Sequence, residues 1–268
     1  MAILQNDEKI TCLEPARLDI ENISISYDGH IAIENMSFII NHGERVAVIG
    51  PNGAGKSTLF KALVGLIQLE SGKIFIHGLP LGHHYDCVAF IPQREEVDWM
   101  FPVTVKDVVE MGRFKETSII KRLTKQDKEI VLEAMLQMDI LEHANRSIDN
   151  LSGGQQQRVF IARALAQKPH VLLMDEPFNG VDVLTQEIVW NLLDKIRERK
   201  VTVMIATHDL NIASLKFDSV ILINKKLIVA GPPSKVFTIP NLQKAFGNQI
   251  IFVGNNAIVD QCCQREPK

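Results

Sequence analysis

The sequence contains no apolar run that approaches the roughly 18 residues of a transmembrane helix, so we do not expect it to span a membrane. Its first residues include Asp7, Glu8 and Glu14 and lack the apolar core of a signal peptide, which argues against secretion. Four cysteines, spread from Cys12 to Cys263, fit a reducing compartment better than a disulfide framework. The net charge of −3 lacks the basic excess of a nucleic-acid-binding surface, so no nucleic-acid partner is expected.

The composition is that of a soluble globular protein, with 46% hydrophobic and 23% charged residues in a chain of 268. This length allows one large domain or two small ones, with a sizeable core. We find neither an internal repeat nor a low-complexity segment. Local motifs must therefore indicate the activity.

A glycine-rich loop in the first quarter of the chain reads Gly50-Pro51-Asn52-Gly53-Ala54-Gly55-Lys56-Ser57-Thr58. The loop follows an apolar run at 45–49, which we interpret as a strand. It precedes a helical pattern that starts near Lys56 and extends over 59–67. A loop between a strand and a helix is the setting expected of a phosphate-binding loop. Glycines let backbone N–H groups approach phosphates, and the helix dipole favours the same anion. Lys56 would contact the β- and γ-phosphates, and the Ser57 hydroxyl would ligate Mg²⁺. The alternative is a glycine-rich turn with a surface lysine.

The rest of the chain alternates between strand and helix patterns. Apolar and polar side chains alternate at 18–26 and 33–40, as in half-buried antiparallel strands joined by the turn 27–30. Helical periodicity with frequent charges at 105–138 predicts a helical insertion. We predict further strands at 73–76, 87–91, 171–174, 201–206, 220–223 and 227–230, and an additional edge strand at 250–253.

Three apolar runs end in reactive side chains. The run before Gly50 leads into the phosphate loop, a second leads into Asp175-Glu176, and a third leads into Thr207-His208. Near-continuous apolar strands indicate a sheet that is buried on both faces, and ligands of open α/β sheets bind at the carboxyl ends of the strands. The sequence therefore predicts an α/β fold with one site at three strand ends.

The residues at these ends suggest hydrolysis. Asp175 would face Mg²⁺ through its water shell, and Glu176 would face the attacking water. His208 would hold the γ-phosphate and orient Glu176. The alternatives are a strand-end turn capped by acids and an ordinary histidine after a strand.

A second anion site is predicted at Leu151-Ser152-Gly153-Gly154-Gln155, where Ser152 caps a helix running to about Gln167. A chain acting alone needs only one γ-phosphate-binding helix end. We therefore predict a head-to-tail pair, in which each ATP lies between the Lys56 loop of one chain and the Ser152 helix of the other.

Together these motifs resemble the nucleotide-binding subunit of an ATP-binding-cassette (ABC) transporter over about residues 18–245. The resemblance assigns, by position, the Walker A loop to Gly50–Thr58, the Q-loop to Gln93, the signature to Leu151–Gln155, Walker B to 171–176, the D-loop to 179–182 and the H-loop to His208. Asn179-Gly180-Val181-Asp182 departs from the common Ser-Ala-Leu-Asp D-loop and keeps only Asp182 and an apolar residue before it. By this resemblance the catalytic residues are Lys56, Gln93, Glu176 and His208. The implied Mg²⁺ ligands are Ser57, Gln93 and Asp175. The resemblance also places Tyr27 under adenine; the alternative is a tyrosine of the core.

The resemblance implies a P-loop NTPase core sheet with an antiparallel β subdomain and an inserted α-helical subdomain. We place a loose leader at 1–17, the ATPase domain at 18–247 with the helical insertion at about 94–168, and a tail at 248–268. ATP and Mg²⁺ are the implied ligands. The implied partners are a second copy of the chain, an integral-membrane permease at the cytoplasmic face of the cell membrane and, indirectly, a substrate-binding receptor.

The cargo is a separate inference. Residues 94–105 and 107–113, together with the Phe-x-Gly-Val-Asp pattern at Phe178–Asp182, resemble the importer branch for manganese, zinc and iron. The expected function is therefore ATP-driven import of a divalent metal, with manganese or zinc preferred. The alternatives are another cargo such as an iron chelate, a soluble cassette ATPase acting on DNA or ribosomes, and a binding module without turnover. The pairs His83-His84 and Cys262-Cys263 are weak candidates for metal ligands, because neighbouring residues chelate poorly alone.

Trp99, Phe101 and Pro102 follow Gln93 in a stretch with turn character. Apolar and aromatic groups in such a stretch suit a protein interface better than water. We predict that this stretch and the adjoining helix at 105–113 receive a cytoplasmic helix of the permease.

Overall fold

A six-stranded sheet forms the centre of the protein, and its strand order is β10-β9-β3-β8-β7-β6. The computed structural model describes residues 17–82, 87–93, 101–114 and 123–247, and the backbone of 250–253 and 256–259. The strands are β1 (Leu18–Tyr27), β2 (His30–Ile40), β3 (Arg45–Ile49), β4 (Ser71–Ile76), β5 (Leu79–Pro80), β6 (Val88–Ile91), β7 (Val171–Asp175), β8 (Thr202–Ala206), β9 (Ser219–Asn224), β10 (Lys226–Gly231), β11 (Ile250–Val253) and β12 (Asn256–Val259).

In the described parts of the chain, eight α-helices connect and cover the strands. They are α1 (Lys56–Leu63), α2 (Val105–Met111), α3 (Lys125–Gln137), α4 (Gly153–Ala166), α5 (Val183–Glu198), α6 (Leu210–Lys216), α7 (Pro233–Val236) and α8 (Ile239–Phe246), with 3₁₀ turns at Leu141–His143 and Ile148–Asn150. None of the helices in the described ranges combines the length and apolar character that crossing a bilayer requires.

Strands β6, β7, β8, β3 and β9 run parallel, and β10 pairs antiparallel with β9. Every residue of β3, β7 and β8 is buried, which the near-continuous apolar runs predict. Successive side chains enter opposite cores: Val46 and Val48 pack in one apolar cluster, Ala47 and Ile49 in the other. The sheet is thus a central layer between two cores.

The first core lies between this sheet, α1 and a second, antiparallel sheet with the order β2-β1-β4-β5. Strands β1 and β2 form a hairpin in which Tyr27 pairs with His30. The two residues between them, Asp28 and Gly29, have φ of 48° and 79°, the left-handed conformation that two-residue hairpin turns favour. The predicted antiparallel pair is therefore confirmed.

The second core contains the helices that lie in the chain between β6 and β7. Helices α2 and α3 each begin with a capping box, formed by Thr104 with Asp107 and by Thr124 with Asp127. The Arg113 guanidinium donates to Asp127 and to the carbonyl oxygen of Ala166, each at 2.8 Å. These bonds hold the end of α2 against α3 and α4.

Two predictions need correction. The helix predicted at 59–67 ends at Leu63, because Gly65 takes a φ of 72° and the N–H groups of Gly65 and Leu66 donate back to Ala62 and Lys61. This is a Schellman motif, which closes a helix. Residues 250–253 form a strand, but it pairs with β12 in a sheet of its own instead of extending a larger sheet. Residues 1–16 of the predicted leader, residues 94–100 and the pairs His83-His84 and Cys262-Cys263 lie outside the described residues.

Candidate functional site

Three neighbouring strands bring the reactive side chains to one edge of the central sheet. Strand β3 lies beside β8, and β8 lies beside β7. The register pairs Val48 with Ala206, and Ala206 with Asp175. Because all three strands run in the same direction, the phosphate loop, Asp175-Glu176 and Thr207-His208 leave the sheet side by side. The structure thus brings together the three strand ends that the sequence predicts to form one site.

Close backbone approaches explain two glycines of the loop. A Cβ at Gly50 would lie 2.3 Å from the carbonyl oxygen of Ile223, and a Cβ at Gly55 would lie 2.7 Å from that of Ala32. Gly55 also has a φ of 96°, a conformation that residues with a side chain rarely adopt. The turn between β9 and β10 also holds the loop, since the N–H of Lys225 donates to the carbonyl oxygen of Ala54 at 2.9 Å. The loop is therefore fixed by strands on both sides of it.

Lys56 lies at the base of the loop with only 6% of its surface exposed. Its Nζ donates to the carbonyl oxygens of Gly50 at 2.9 Å and Pro51 at 3.2 Å. Burial lowers the pKa of Lys56 below its usual value. The negative charges of Glu176 and Asp175 act in the opposite direction and offset this only in part. A cation held between loop carbonyls and two carboxylates is suited to bind a phosphate.

The other loop residues surround this lysine. Asn52 and Gly53 are exposed at the tip of the loop, and Gly53 has a φ of 77°. Ser57 and Thr58 occupy the first turn of α1 and are half-buried. Helix α1 begins at Lys56 without a side-chain cap, so the backbone N–H groups of its first turn face the loop.

Glu176 and His208 lie opposite each other across the ends of β7 and β8. His208 Nδ1 is 3.5 Å from Glu176 Oε2, which is within ion-pair distance but too long for a well-formed hydrogen bond. Glu176 has a φ of 48°, and its N–H donates to the carbonyl oxygen of Ala206 at 3.0 Å. Its side chain is 12% exposed and that of His208 is 43% exposed. The backbone hydrogen bond therefore fixes the main chain at Glu176, whereas the His208 imidazole is accessible to solvent.

Oxygen donors suited to Mg²⁺ come from three elements at this edge. Asp175 is the last residue of β7 and is 1% exposed. Gln93 lies two residues beyond β6, which is paired in parallel with β7, and Ser57 is in the first turn of α1. Hydroxyl, amide and carboxylate oxygens are the ligands that Mg²⁺ prefers, so this donor set fits the ion.

The glycine-rich start of α4 forms a complete cap. Ser152 Oγ accepts from the N–H of Gln155 at 3.3 Å, and Gln155 Oε1 accepts from the N–H of Ser152 at 2.9 Å. The amide nitrogen of Gln155 also lies 2.9 Å from Nε2 of His143, a buried residue that no sequence signal singles out. These contacts hold the first turn, including Gly153, in a fixed direction.

Asp182 caps α5, and its carboxylate accepts from the N–H of Thr185 at 2.8 Å. A Cβ at Gly154 would lie 2.4 Å from both Asp182 Oδ2 and Thr185 Oγ1. The start of α4 therefore packs directly on the start of α5, a contact that the sequence does not predict. Tyr27 lies at the end of β1 and is 44% exposed, as an aromatic platform requires.

The sequence matches the family model described as ABC transporter over residues 33–179. It is 41% identical over 231 residues to the manganese transport system ATP-binding protein MntB of Listeria monocytogenes, covering 86% of this chain and 96% of that protein. It is 40% identical over 233 residues to the zinc transport system ATP-binding protein TroB of Treponema pallidum, covering 87% and 88% of the two chains.

The structure is similar to that of the ATP-binding cassette MJ0796, solved as a dimer in a post-hydrolysis state bound to ADP and Pi. The TM-score is 0.70 at 26% identity, over 81% of this chain and 98% of that one.

Proposed function

This chain belongs to the ABC transporter family, and from that premise we propose that it is the ATP-hydrolysing, energy-coupling subunit of a membrane importer for a divalent metal. The proposal that the chain hydrolyses ATP rests on the arrangement of three adjacent strand ends. They present a buried lysine, two carboxylates and an imidazole at one edge of the sheet.

Each side chain has a distinct role in this proposal. The loop N–H groups and Lys56 bind the β- and γ-phosphates, and Tyr27 supports adenine. Glu176 orients and deprotonates the attacking water, and His208 contacts the γ-phosphate and holds Glu176 in place. When bound by Ser57, Gln93 and Asp175, Mg²⁺ neutralises charge on the phosphate oxygens.

Lysine replacement tests the phosphate-binding assignment. Lys56→Ala should abolish measurable hydrolysis and weaken binding of a fluorescent ATP analogue, because it removes the cation at the base of the loop. Lys128→Ala, on the exposed face of α3, is the matched control and should change neither. Normal turnover of Lys56→Ala would refute the assignment.

We further propose that two copies of the chain enclose each ATP. Ser152 and the glycines after it begin a 14-residue helix whose first-turn N–H groups form a second anion site. The capping box and the packing of Gly154 on α5 fix its direction. The dimeric structure of the MJ0796 cassette with ADP and Pi supports this arrangement. In the dimer that we propose for this chain, Asp182 would lie at the interface beside the shared site.

The docking proposal concerns α2 and the segment before it. Phe101 is 56% exposed, and Met111 and Phe114 at the other end of α2 are 40% and 54% exposed. Three large apolar side chains around one short helix suit a protein interface. We propose that they receive a cytoplasmic helix of the permease, which places the chain peripherally at the cytoplasmic face of the membrane. A substrate-binding receptor would contact the permease and not this chain.

The cargo proposal rests on relatives named for manganese and zinc transport at about 40% identity. Cellular uptake of radioactive manganese and zinc tests it, with the gene deleted and then restored. Restored uptake of either ion is the expected result. Restored uptake of only an iron chelate or an organic solute would overturn the cargo assignment and leave the ATPase assignment intact. Absence of a co-purifying membrane protein would favour the soluble cassette ATPase.

A further inference from the structure

Three metal-ligating side chains meet at the edge of the central sheet opposite to the proposed ATP site. They are His77, Cys87 and His170, and one ring nitrogen of each histidine and the Sγ of Cys87 all lie within 4.8 Å of one another. His77 Nε2 and His170 Nδ1 are 3.1 Å apart, and their rings are nearly perpendicular. Cys87 is 4% exposed, whereas both histidines are half-buried. The cluster is thus closed on the cysteine side and accessible from the imidazole side.

Each residue comes from a different part of the fold. His77 occupies the two-residue turn between β4 and β5, where it has a φ of 54°. Cys87 precedes β6 and His170 precedes β7, and the N–H of His170 donates to the carbonyl oxygen of Cys87 at 2.8 Å. The backbone hydrogen bond therefore fixes Cys87 and His170 relative to each other, and His77 belongs to a turn of the antiparallel sheet.

We propose that His77, Cys87 and His170 form a site for one zinc-type divalent ion. Imidazole nitrogen and thiolate sulfur favour Zn²⁺ and Co²⁺ over Mg²⁺ and Mn²⁺, whose preferred ligands are oxygen atoms. Two nitrogens bound to a tetrahedral zinc lie about 3.3 Å apart, and a nitrogen and a sulfur about 3.6 Å apart. The ligand atoms, which lie within 4.8 Å of one another, would have to approach by at most about 1.2 Å to reach this geometry. Water would occupy the fourth position on the exposed side.

This site is separate from the magnesium donors. Strand β7 has His170 immediately before its first residue and Asp175 as its last, and five strand residues span about 17 Å. The ion would link the β4–β5 turn to the starts of β6 and β7, which carry Gln93 and Asp175 at their far ends. Binding of this ion is independent of the transported cargo, because only residues of this chain would hold it.

Cobalt titration tests the proposal in the full-length chain. Cys12, Cys262 and Cys263 are first replaced by serine, so that Cys87 is the only remaining thiol. One equivalent of Co²⁺ should then produce the near-ultraviolet absorption of a thiolate-to-cobalt charge transfer. One equivalent of Zn²⁺ should remove this absorption, whereas excess Mg²⁺ should not.

Single replacements identify the other ligands. His77→Asn keeps a residue that tolerates positive φ, and His170→Asn removes the second imidazole. Each should weaken cobalt binding by more than the ~10- to 100-fold that loss of an outer-sphere partner costs. His42→Asn, at an exposed histidine outside the cluster, is the control and should leave binding unchanged. Circular dichroism checks that each variant is folded.

Two results would overturn the proposal. One is the absence of the charge-transfer band in the folded single-thiol chain with Cys87 reduced. The other is a band that persists at unchanged affinity in folded His77→Asn, since Cys87 would then bind the ion with ligands outside the cluster.

Discussion

Replacing Glu176 by glutamine isolates the chemical step from the binding of nucleotide. The amide has nearly the same shape as the carboxylate and stays within reach of His208, whose Nδ1 lies 3.5 Å from Oε2. What is lost is a negative charge and a base on a side chain that is 12% exposed. Because the Glu176 charge raises the pKa of Lys56, its removal should lower that pKa further, a change that phosphate binding offsets.

A general base contributes about 10²- to 10⁴-fold to the rate, so hydrolysis should fall by that factor. This corresponds to about 3–5 kcal/mol of transition-state stabilisation. ATP affinity should not fall, because Lys56, the loop N–H groups and the proposed magnesium donors remain. We therefore expect the variant to accumulate as an ATP-bound dimer.

Steady-state phosphate release and sedimentation velocity with and without ATP measure the two effects. Glu187→Gln, at an exposed position on α5, makes the same chemical change away from the site and should behave as the parent. Turnover of Glu176→Gln within about threefold of the parent, far less than a general base contributes, would remove Glu176 from the mechanism.

Three further perturbations address the interface and the helical region. Ser152→Arg chains mixed with Lys56→Ala chains should recover part of the hydrolysis that neither has alone, because one of the two shared sites is then intact. Turnover by a strictly monomeric Ser152→Arg protein would contradict shared sites. Gly154→Ala should lower the free energy of unfolding by about 1–3 kcal/mol in urea, since its methyl group would overlap the cap of α5. Hydrogen bonds from Thr124 and Arg113 lower the pKa of Asp127 from 3.8 to about 2, so its ionised form stabilises the fold above pH 4. The stability difference between the parent and Asp127→Asn in urea should therefore shrink as the pH falls from 4 towards 2.

The core sheet and the main motifs are predictable because their signals are local. Apolar runs of four to six residues place each strand of the central sheet to within one residue at either end. Glycine, lysine and serine at fixed spacing predict the phosphate loop, and the apolar runs predict that Asp175, Glu176 and His208 stand at strand ends. A parallel sheet then brings these ends together, which general rules of α/β folds anticipate.

Features that depend on tertiary contacts are not predictable in this way. The prediction of a helix over 59–67 is wrong for a different, local reason: the apolar pattern continues beyond Leu63, but Gly65 adopts a positive φ and ends α1. The packing of Gly154 on Asp182 joins two motifs whose sequences carry no sign of contact. The cluster of His77, Cys87 and His170 draws on three segments with no recognisable ligand spacing.

The pairing of β3 also bears on how the protein is made. Its neighbours in the sheet, β8 and β9, begin at Thr202 and Ser219, late in the order of synthesis. The phosphate loop is further constrained by Ile223 and Lys225, which leave the ribosome later still. A nascent chain must therefore carry the apolar β3 without its partners until most of the protein has been translated, and such segments are exposed to aggregation. We therefore expect nucleotide to stabilise the newborn protein only after residue 225 has emerged from the ribosome.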